Sequence, residues 1–414
     1  MKTEFYSSNR ERFMEKLEAG SAVVFFSGEA PKKTADEKYA YSPNRNFLYL
    51  TGISEQNIAL YMEKTDEGHS ETLFIFEYDE LKAKWVGETV SPEKAESSSG
   101  IQEIKYLPEF SKFIHTKIKT NGKTVFYFDL EKDSPEGGFG QGGRFAQKMK
   151  QEYPELTVKD AYPLVCSLRT VKTKEEADTI KKAIDITGAG IKRIMQNAKP
   201  GMYEYELEAE FNYELKKSGV KDFAFKTILA SGKNATVLHY DSNDSKIGKN
   251  DLVLLDLGAA WNFYSADISR TFPISGKFTK RQRQLYDIVL KAHSKVIELI
   301  APGVHFKALN EAVIELYAKE LKKIGLIESP EEVKKYYFHG VSHNLGLDTH
   351  DVGPRDTYLT EGMILTVEPG LYIADEGIGI RIEDDVMVTK TGSKVLSQDI
   401  IRTADEIEEF MAKR

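Results

Sequence analysis

The segment LVLLDLGAAWNFYSADISRTF, residues 252–272, constrains this chain more than any other stretch. Two apolar runs flank a polar tip, which is the pattern of a β-hairpin. With a turn centred on Trp261 and Asn262, Asp256 and Asp267 stand directly opposite each other. Opposed side chains in an antiparallel pair have Cβ atoms about 4.5–5.5 Å apart, and like charges there repel. Solvation offers no escape for Asp256, which follows Leu-Val-Leu-Leu and precedes Leu-Gly. An unpaired acid inside an apolar strand costs several kcal/mol. The pair therefore calls for a positive charge between its members.

Three downstream stretches, FHGVSHNLGLDTHD, TVEPGLY and GIRIEDD, supply His343, Glu368 and Glu383. With the aspartates they make a set of four carboxylates and one imidazole, enough to cage two divalent cations. Hard oxygen ligands with one nitrogen suit Mn(II), Co(II) or Zn(II) better than a thiolate site would. Two ions about 3.5–4 Å apart can activate a bridging water and polarise a carbonyl. The period of two puts Arg381 and Asp385 on the strand face of Glu383, which makes Arg381 a candidate for orienting a ligand. The competing explanation is that these acids are solvated turn residues.

Of the eight histidines, His339, His343 and His350 lie close together. His339 and His343 have the i, i+4 spacing of helical zinc sites, but Gly340 and Gly346 argue against a helix and no HExxH is present. His239, in ATVLHYDSN, reads by itself as an exposed or satisfied loop residue. His69, His115, His293 and His305 have no supporting context and are read as structural.

A length of 414 residues predicts two or three domains. The net charge of −8 argues against nucleic acid as a partner, which usually requires a basic face. The single cysteine, Cys166, excludes an intrachain disulfide and fits a reducing compartment. Its neighbours in AYPLVCSLRTV predict a buried structural thiol. The first twenty residues lack an apolar core of signal-peptide length, and no segment approaches the roughly 18 apolar residues of a membrane span. A cytoplasmic protein with no membrane partner is expected.

Along the first third, SAVVFFSG, NFLYLTGI, NIALYME, TLFIFEY and KTVFYFDL read as strands. SSNRERFMEKLE and FSKFIHTKIK between them read as helices, an α/β alternation. GGFGQGGR, residues 137–144, lacks the Gly-Lys-Ser/Thr end of a phosphate-binding loop and reads as a flexible connector. A boundary near residues 168–175 divides the chain into domains 1–168 and 169–414. Beyond it come a long amphipathic helix with Ile180, Ala183, Ile184, Thr187 and Ile191 on one side, a second helix ending near Gly219, and the strand FKTILASG. A second helix pair follows the paired aspartates, split by Ala301-Pro302-Gly303 as the first is by Lys199-Pro200-Gly201. The shared punctuation hints at two related halves.

The stretches VLHY, LLDLGAAWNFYSADISRTFPISGKFT, FHGVSHNLGLDTHDVG, MILTVEPGLYI and GIGIRIEDDVMVT resemble the pita-bread metallopeptidases of the aminopeptidase P branch, over about residues 170–410. YSPNRNFLYLTG is similar to the N-terminal domain of aminopeptidase P and prolidase. The resemblance implies an α/β N-terminal domain and an α+β catalytic domain, with a curved antiparallel sheet holding two metal ions, usually manganese. It implies that Asp256 binds one ion, that Asp267 and Glu383 bridge, and that His343 and Glu368 bind the other, with Glu368 also the general base. His239, His339 and His350 match histidines around the substrate, and Arg381 matches an arginine behind the ligands. The implied activity is hydrolysis of the bond between an N-terminal residue and a following proline in peptides, with self-association as a dimer or tetramer. The alternatives are a prolidase acting on Xaa-Pro dipeptides, which shares the ligands, and a non-catalytic binding module, which would lack them.

Overall fold

The residues described by the computed structural model, 1–132 and 138–414, divide into the units Met1–Arg169 and Thr170–Arg414. The first unit is built on a six-stranded mixed sheet. Its strands are β1 (Ala22–Phe26), β2 (Ala59–Thr65), β3 (Gly68–Ile75), β4 (Ile104–Tyr106), β5 (Val125–Phe128) and β6 (Thr157–Asp160), in the spatial order β4-β3-β2-β1-β5-β6. One face is an aromatic core in which Tyr61, Phe74, Phe126 and Phe128 meet Phe110 and Ile114 of helix Leu107–Lys119 and Met149 of helix Gln141–Glu152. Cys166 is buried in helix Tyr162–Thr170, and burial pushes its thiol pKa up to about 12, as a structural thiol requires.

Two expectations for this unit are corrected. Within NFLYLTGI, Arg45–Thr51 is a helix, not a strand. The Asn44 side chain accepts a hydrogen bond from the Phe47 amide at one end, and Gly52 closes the other in a left-handed conformation. These caps, with Asn46 to Thr51 all buried, override the strand preference of the apolar residues. In GGFGQGGR, Gly137 lies outside the described residues, while Gly142 and Gly143 begin a helix. A Cβ at Gly142 would lie 2.4 Å from the Asp129 carbonyl oxygen, so this glycine permits close packing where flexibility was expected.

In the second unit, helix Lys174–Asn197 starts at a Thr173–Glu176 capping box and buries Ile180, Ala183, Ile184, Thr187 and Ile191 as expected. It pairs with helix Glu204–Lys217, where Gly190 lets the Phe211 ring approach. Strands β7 (Ile228–Ser231), β8 (Leu252–Leu257), β9 (Ala260–Trp261), β10 (Tyr264–Ser265) and β11 (Ile268–Pro273) follow. After the second helix pair, Lys280–Leu299 and Phe306–Lys323, come β12 (Ile364–Val367), β13 (Gly370–Ile373), β14 (Ile378–Arg381), β15 (Asp384–Val388) and β16 (Ser393–Val395). Every pairing among these strands is antiparallel, giving the ladders β11-β8-β7 and β12-β15-β16 and the hairpins β10-β9 and β13-β14. The architecture is the expected α/β unit followed by an α+β unit with two similar halves.

The hairpin register differs from expectation. Asn262 and Phe263 both adopt positive φ, 49° and 68°, so the turn falls one residue later than Trp261-Asn262. Positive φ at both central positions is the signature of the turn whose twist suits a two-residue hairpin. Asp256 consequently pairs with Ser269. Asp267 lies two residues before Ser269, on the same face and diagonal to Asp256. Gly258 makes room for this crossing, since a Cβ there would lie 1.8 Å from the Ala266 carbonyl oxygen.

A buried charge cluster braces these ladders. Arg270 Nη2 donates to Asp384 Oδ1 at 2.8 Å, with both side chains fully buried. Arg270 Nη1 donates to the carbonyl oxygens of Glu383 at 2.6 Å and Ser269 at 2.9 Å. Burial alone would raise the Asp384 pKa, but the attraction of Arg270, His293 and Arg402 holds it well below the usual carboxylate range. Replacing Asp384 by Asn strands the guanidinium, so Asp384→Asn should lose roughly 3–5 kcal/mol of stability in urea unfolding near neutral pH. Because the folded-state pKa is depressed, the ionic contribution is complete above the unfolded value of about 3.9 and is lost as pH falls below it. The variant should lack that part of the acid-induced loss.

Candidate metal centre

Both ladders aim acids at one place. Asp256 is on β8 and Asp267 directly precedes β11. In the second ladder Val367 pairs with Asp384, and the Ile382 amide bonds to the Pro369 carbonyl, so Glu368 and Glu383 form the intervening opposed pair. The like-charge opposition expected of the aspartates is thus realised by the glutamates. His343 lies in an extended segment against β12, where its carbonyl accepts from the Thr366 amide at 3.0 Å. His339 and His343 are not on a helix, as the neighbouring glycines indicated.

All nine residues singled out in the sequence, His239, Asp256, Asp267, His339, His343, His350, Glu368, Arg381 and Glu383, line one cavity of about 170 Å³. Ligand atoms of Asp267, His343 and Glu383 lie within 4.8 Å of one another. His343 Nε2 is 3.3 Å from Asp267 Oδ2 and 3.6 Å from Glu368 Oε1. Its Nδ1 is 3.0 Å from the Asn344 carbonyl oxygen, a contact that places the proton on Nδ1. That tautomer leaves the Nε2 lone pair facing the acids, ready for a cation.

The acids themselves are under-satisfied. Asp256 Oδ2 accepts from Arg381 Nη2 at 2.7 Å, and Glu383 Oε2 accepts from Ser269 Oγ at 2.7 Å. Their other oxygens, with Asp385 Oδ1, are buried and accept no hydrogen bond among the described residues. Burial, then the charges of Asp256, Asp385 and Glu368, push the Asp267 pKa well above the carboxylate range. Burial, then Asp267, Glu368 and Asp256, do the same to Glu383. Burial also raises Glu368, against the opposing pull of His343 and Arg381. Asp385 completes a group of five carboxyls, met by Arg381 beside Asp256, Glu383 and Glu368, by Arg355 on the cavity wall and by Arg270 near Asp385. The carboxyls still outnumber these cations, and the orphaned oxygens of Asp256 and Glu383 on the cavity are atoms that would receive a divalent ion. The donor set therefore fits a divalent-metal centre.

Neutral groups that the sequence did not mark complete the surroundings. Tyr372 Oη accepts from Arg381 Nη1 at 3.0 Å and lies 2.9 Å from His339 Nε2. Ser269 Oγ also accepts from Arg381 Nε at 2.7 Å. Asp385 Oδ2 accepts from the Asp267 amide at 3.1 Å. Burial and then Arg381 lower the His339 pKa to about 4. Burial and then His343, whose ring centre is 4.3 Å away, lower His350 to about 4. Both imidazoles are neutral near pH 7. His239 is exposed at the cavity. Serine and tyrosine are too common for spacing to reveal such roles; only the fold brings them to the arginine.

An antiparallel α+β unit with buried acids and an imidazole arranged to receive cations defines a metallohydrolase-type centre. Comparison with known proteins agrees. The profile of metallopeptidase family M24 matches residues 178–390, and that of the aminopeptidase P N-terminal domain matches residues 6–127. Xaa-Pro aminopeptidase from Escherichia coli is 32% identical, with 98% of this chain and 97% of that protein covered. A Bacillus anthracis structure provisionally assigned as an aminopeptidase P is 50% identical with a TM-score of 0.98, covering 100% of this chain and 99% of that one. Escherichia coli aminopeptidase P with the inhibitor Pro-Leu is 31% identical with a TM-score of 0.92, covering 100% and 99% respectively. The chain belongs to metallopeptidase family M24.

The raised carboxyl pKa values give cation uptake a direction with pH. Burial and neighbouring acids make Asp267 and Glu383 easier to protonate in the metal-free chain, so protons compete with a cation there and affinity should fall as pH falls. Calorimetric titration with Mn(II) in buffers of different ionisation enthalpy should show net proton release. Asp267→Asn should bind less metal by elemental analysis; equal metal in both proteins would remove Asp267 from the ligand set.

Proposed function

We propose that this chain is a Xaa-Pro aminopeptidase that uses two divalent ions, with manganese as the resident metal, to hydrolyse the bond between an N-terminal residue and a following proline. The observation that carries the proposal is the convergence of Asp256, Asp267, His343, Glu368 and Glu383 on one cavity, in a chain matched nearly end to end by Xaa-Pro aminopeptidases. Asp256 is assigned to one ion, Asp267 and Glu383 to the bridge, and His343 and Glu368 to the other ion. When bound, the ions would lower the pKa of a coordinated water and polarise the scissile carbonyl.

The chain's own groups then supply orientation and proton handling. Ser269 and Arg381 fix Glu383 and Asp256 so that their free oxygens point inward. A bond to proline has a tertiary amide nitrogen, which needs a proton to leave. Glu368, with its raised pKa, is placed to take a proton from the attacking water and return it to that nitrogen. His350 presents a neutral imidazole to the cavity, suited to hydrogen-bonding the peptide and its tetrahedral intermediate, and His339, with Nδ1 3.8 Å from Glu368 Oε2, would join it by exchanging its bond to Gly340 or Tyr372. His239 is assigned to the substrate side. Residues 1–168 are assigned as the aminopeptidase P N-terminal domain and 169–414 as the catalytic domain, following the two matched profiles. No helix among the described residues is long and apolar enough to cross a membrane. Cytoplasmic residence and self-association as a dimer or tetramer complete the proposal.

A binding module without catalysis is disfavoured by the complete ligand set. Prolidase is the sharper rival, and substrate length separates the two. With manganese added, Xaa-Pro-Yaa tripeptides should be cleaved with kcat/KM at least about tenfold above Xaa-Pro dipeptides. Cleavage of dipeptides alone would assign the chain to prolidase. Glu368→Gln should lower kcat by roughly 10²–10⁴-fold, the usual contribution of a positioned acid–base group.

A further inference from the structure

The loop that carries His239 is organised around a carboxylate that has no part in the metal centre. Glu204, the first residue of helix Glu204–Lys217, has a relative exposure of 0%. Its Oε1 accepts from the Ser231 amide at 2.7 Å, Ser231 Oγ at 2.7 Å and Asn234 Nδ2 at 3.1 Å. Its Oε2 accepts from Tyr240 Oη at 2.7 Å and the Ser245 amide at 3.0 Å. No lysine, arginine or histidine forms an ion pair with it among the described residues. A buried carboxylate without a counter-ion is costly unless hydrogen bonds saturate it. Here five neutral donors do so, and all come from residues 231–245.

The donors fall on both sides of His239. Ser231 and Asn234 precede it, while Tyr240 and Ser245 follow it, so one side chain gathers both arms of the loop. The Glu204 amide adds a bond to the Ser245 carbonyl at 3.0 Å. His239 itself is exposed and has no side-chain hydrogen bond among the described residues, so the loop alone fixes its position. A neutral amide could not replace the acid, because either orientation of a glutamine turns its NH₂ group toward a backbone amide, that of Ser231 or of Ser245, which cannot accept.

We infer that Glu204 is a positioning residue for the reaction, holding the 231–245 loop so that His239 faces the cavity. This rests on the substrate role proposed above for His239. The test is a double-mutant cycle on Xaa-Pro-Yaa tripeptide hydrolysis by the manganese-loaded full chain, using Glu204→Gln and His239→Ala. Glu204→Gln should lower kcat/KM about tenfold in the parent and less than about twofold in the His239→Ala background, since a group acting through His239 has nothing left to position. Its metal content should equal that of the parent. Tyr240→Phe, which removes one donor and leaves the carboxylate, should lose about threefold and show the same dependence on His239. Effects that multiply independently in both cycles, or loss of metal with Glu204→Gln while Tyr240→Phe is unaffected, would overturn the inference. A His239→Ala variant with parental turnover would instead overturn the substrate role of His239, and this inference with it.

Discussion

Mutual repulsion among buried acids is the condition around which the second unit is arranged. Asp256, Asp267, Glu368, Glu383 and Asp385 share one region in which carboxyls outnumber the guanidinium groups of Arg381, Arg355 and Arg270 that act on them. Such a group can be held only by a scaffold stiff enough to resist its spreading. The two antiparallel ladders supply the stiffness, and Arg270 ties them together behind the site. Its bonds to the carbonyls of Ser269 and Glu383 join the strand that carries the hydroxyl to the strand that carries the acid it meets. One oxygen each of Asp256, Glu383 and Asp385 is satisfied, by Arg381, Ser269 and the Asp267 amide respectively. The second oxygens of Asp256, Glu383 and Asp385 are buried and accept no hydrogen bond among the described residues. That asymmetry gives the cavity its chemical direction.

The histidines show how environment decides what spacing leaves open. His339 and His343 share an i, i+4 interval, yet neither lies on a helix and their side chains meet different partners. His343 gives its Nδ1 proton to a carbonyl and turns Nε2 to the acids. His339 is bonded at both nitrogens, to the Gly340 carbonyl and to Tyr372, so it faces the cavity with no lone pair to offer a metal. His293, read from sequence as structural, is buried beside Asp384 in the bracing cluster.

The sequence made the hairpin legible because strand alternation and a polar tip are local properties. Its register was not, because Trp261-Asn262 and Asn262-Phe263 are adjacent choices and a phenylalanine at positive φ is an unexpected partner for the asparagine. The shift by two preserved the face of Asp267, so the ligand set survived an error in its pairing. The helix at Arg45–Thr51 was hidden because its apolar residues favour a strand and only the flanking Asn44 and Gly52 signal otherwise. The cation-binding candidates could be read because four acids in apolar surroundings are abnormal on their own. Ser269, Tyr372 and Glu204 could not, because their importance lies in partners distant along the chain.

The site is divided between the two halves of the second unit, and this has a consequence for biosynthesis. Asp256 and Asp267 emerge before the second helix pair, whereas His343, Glu368 and Glu383 emerge after it. A nascent chain that has completed only the first half presents acids without their imidazole or opposing glutamates. The complete donor set therefore exists only once residue 383 has been made, so the site cannot assemble before the second half of this unit has been synthesised.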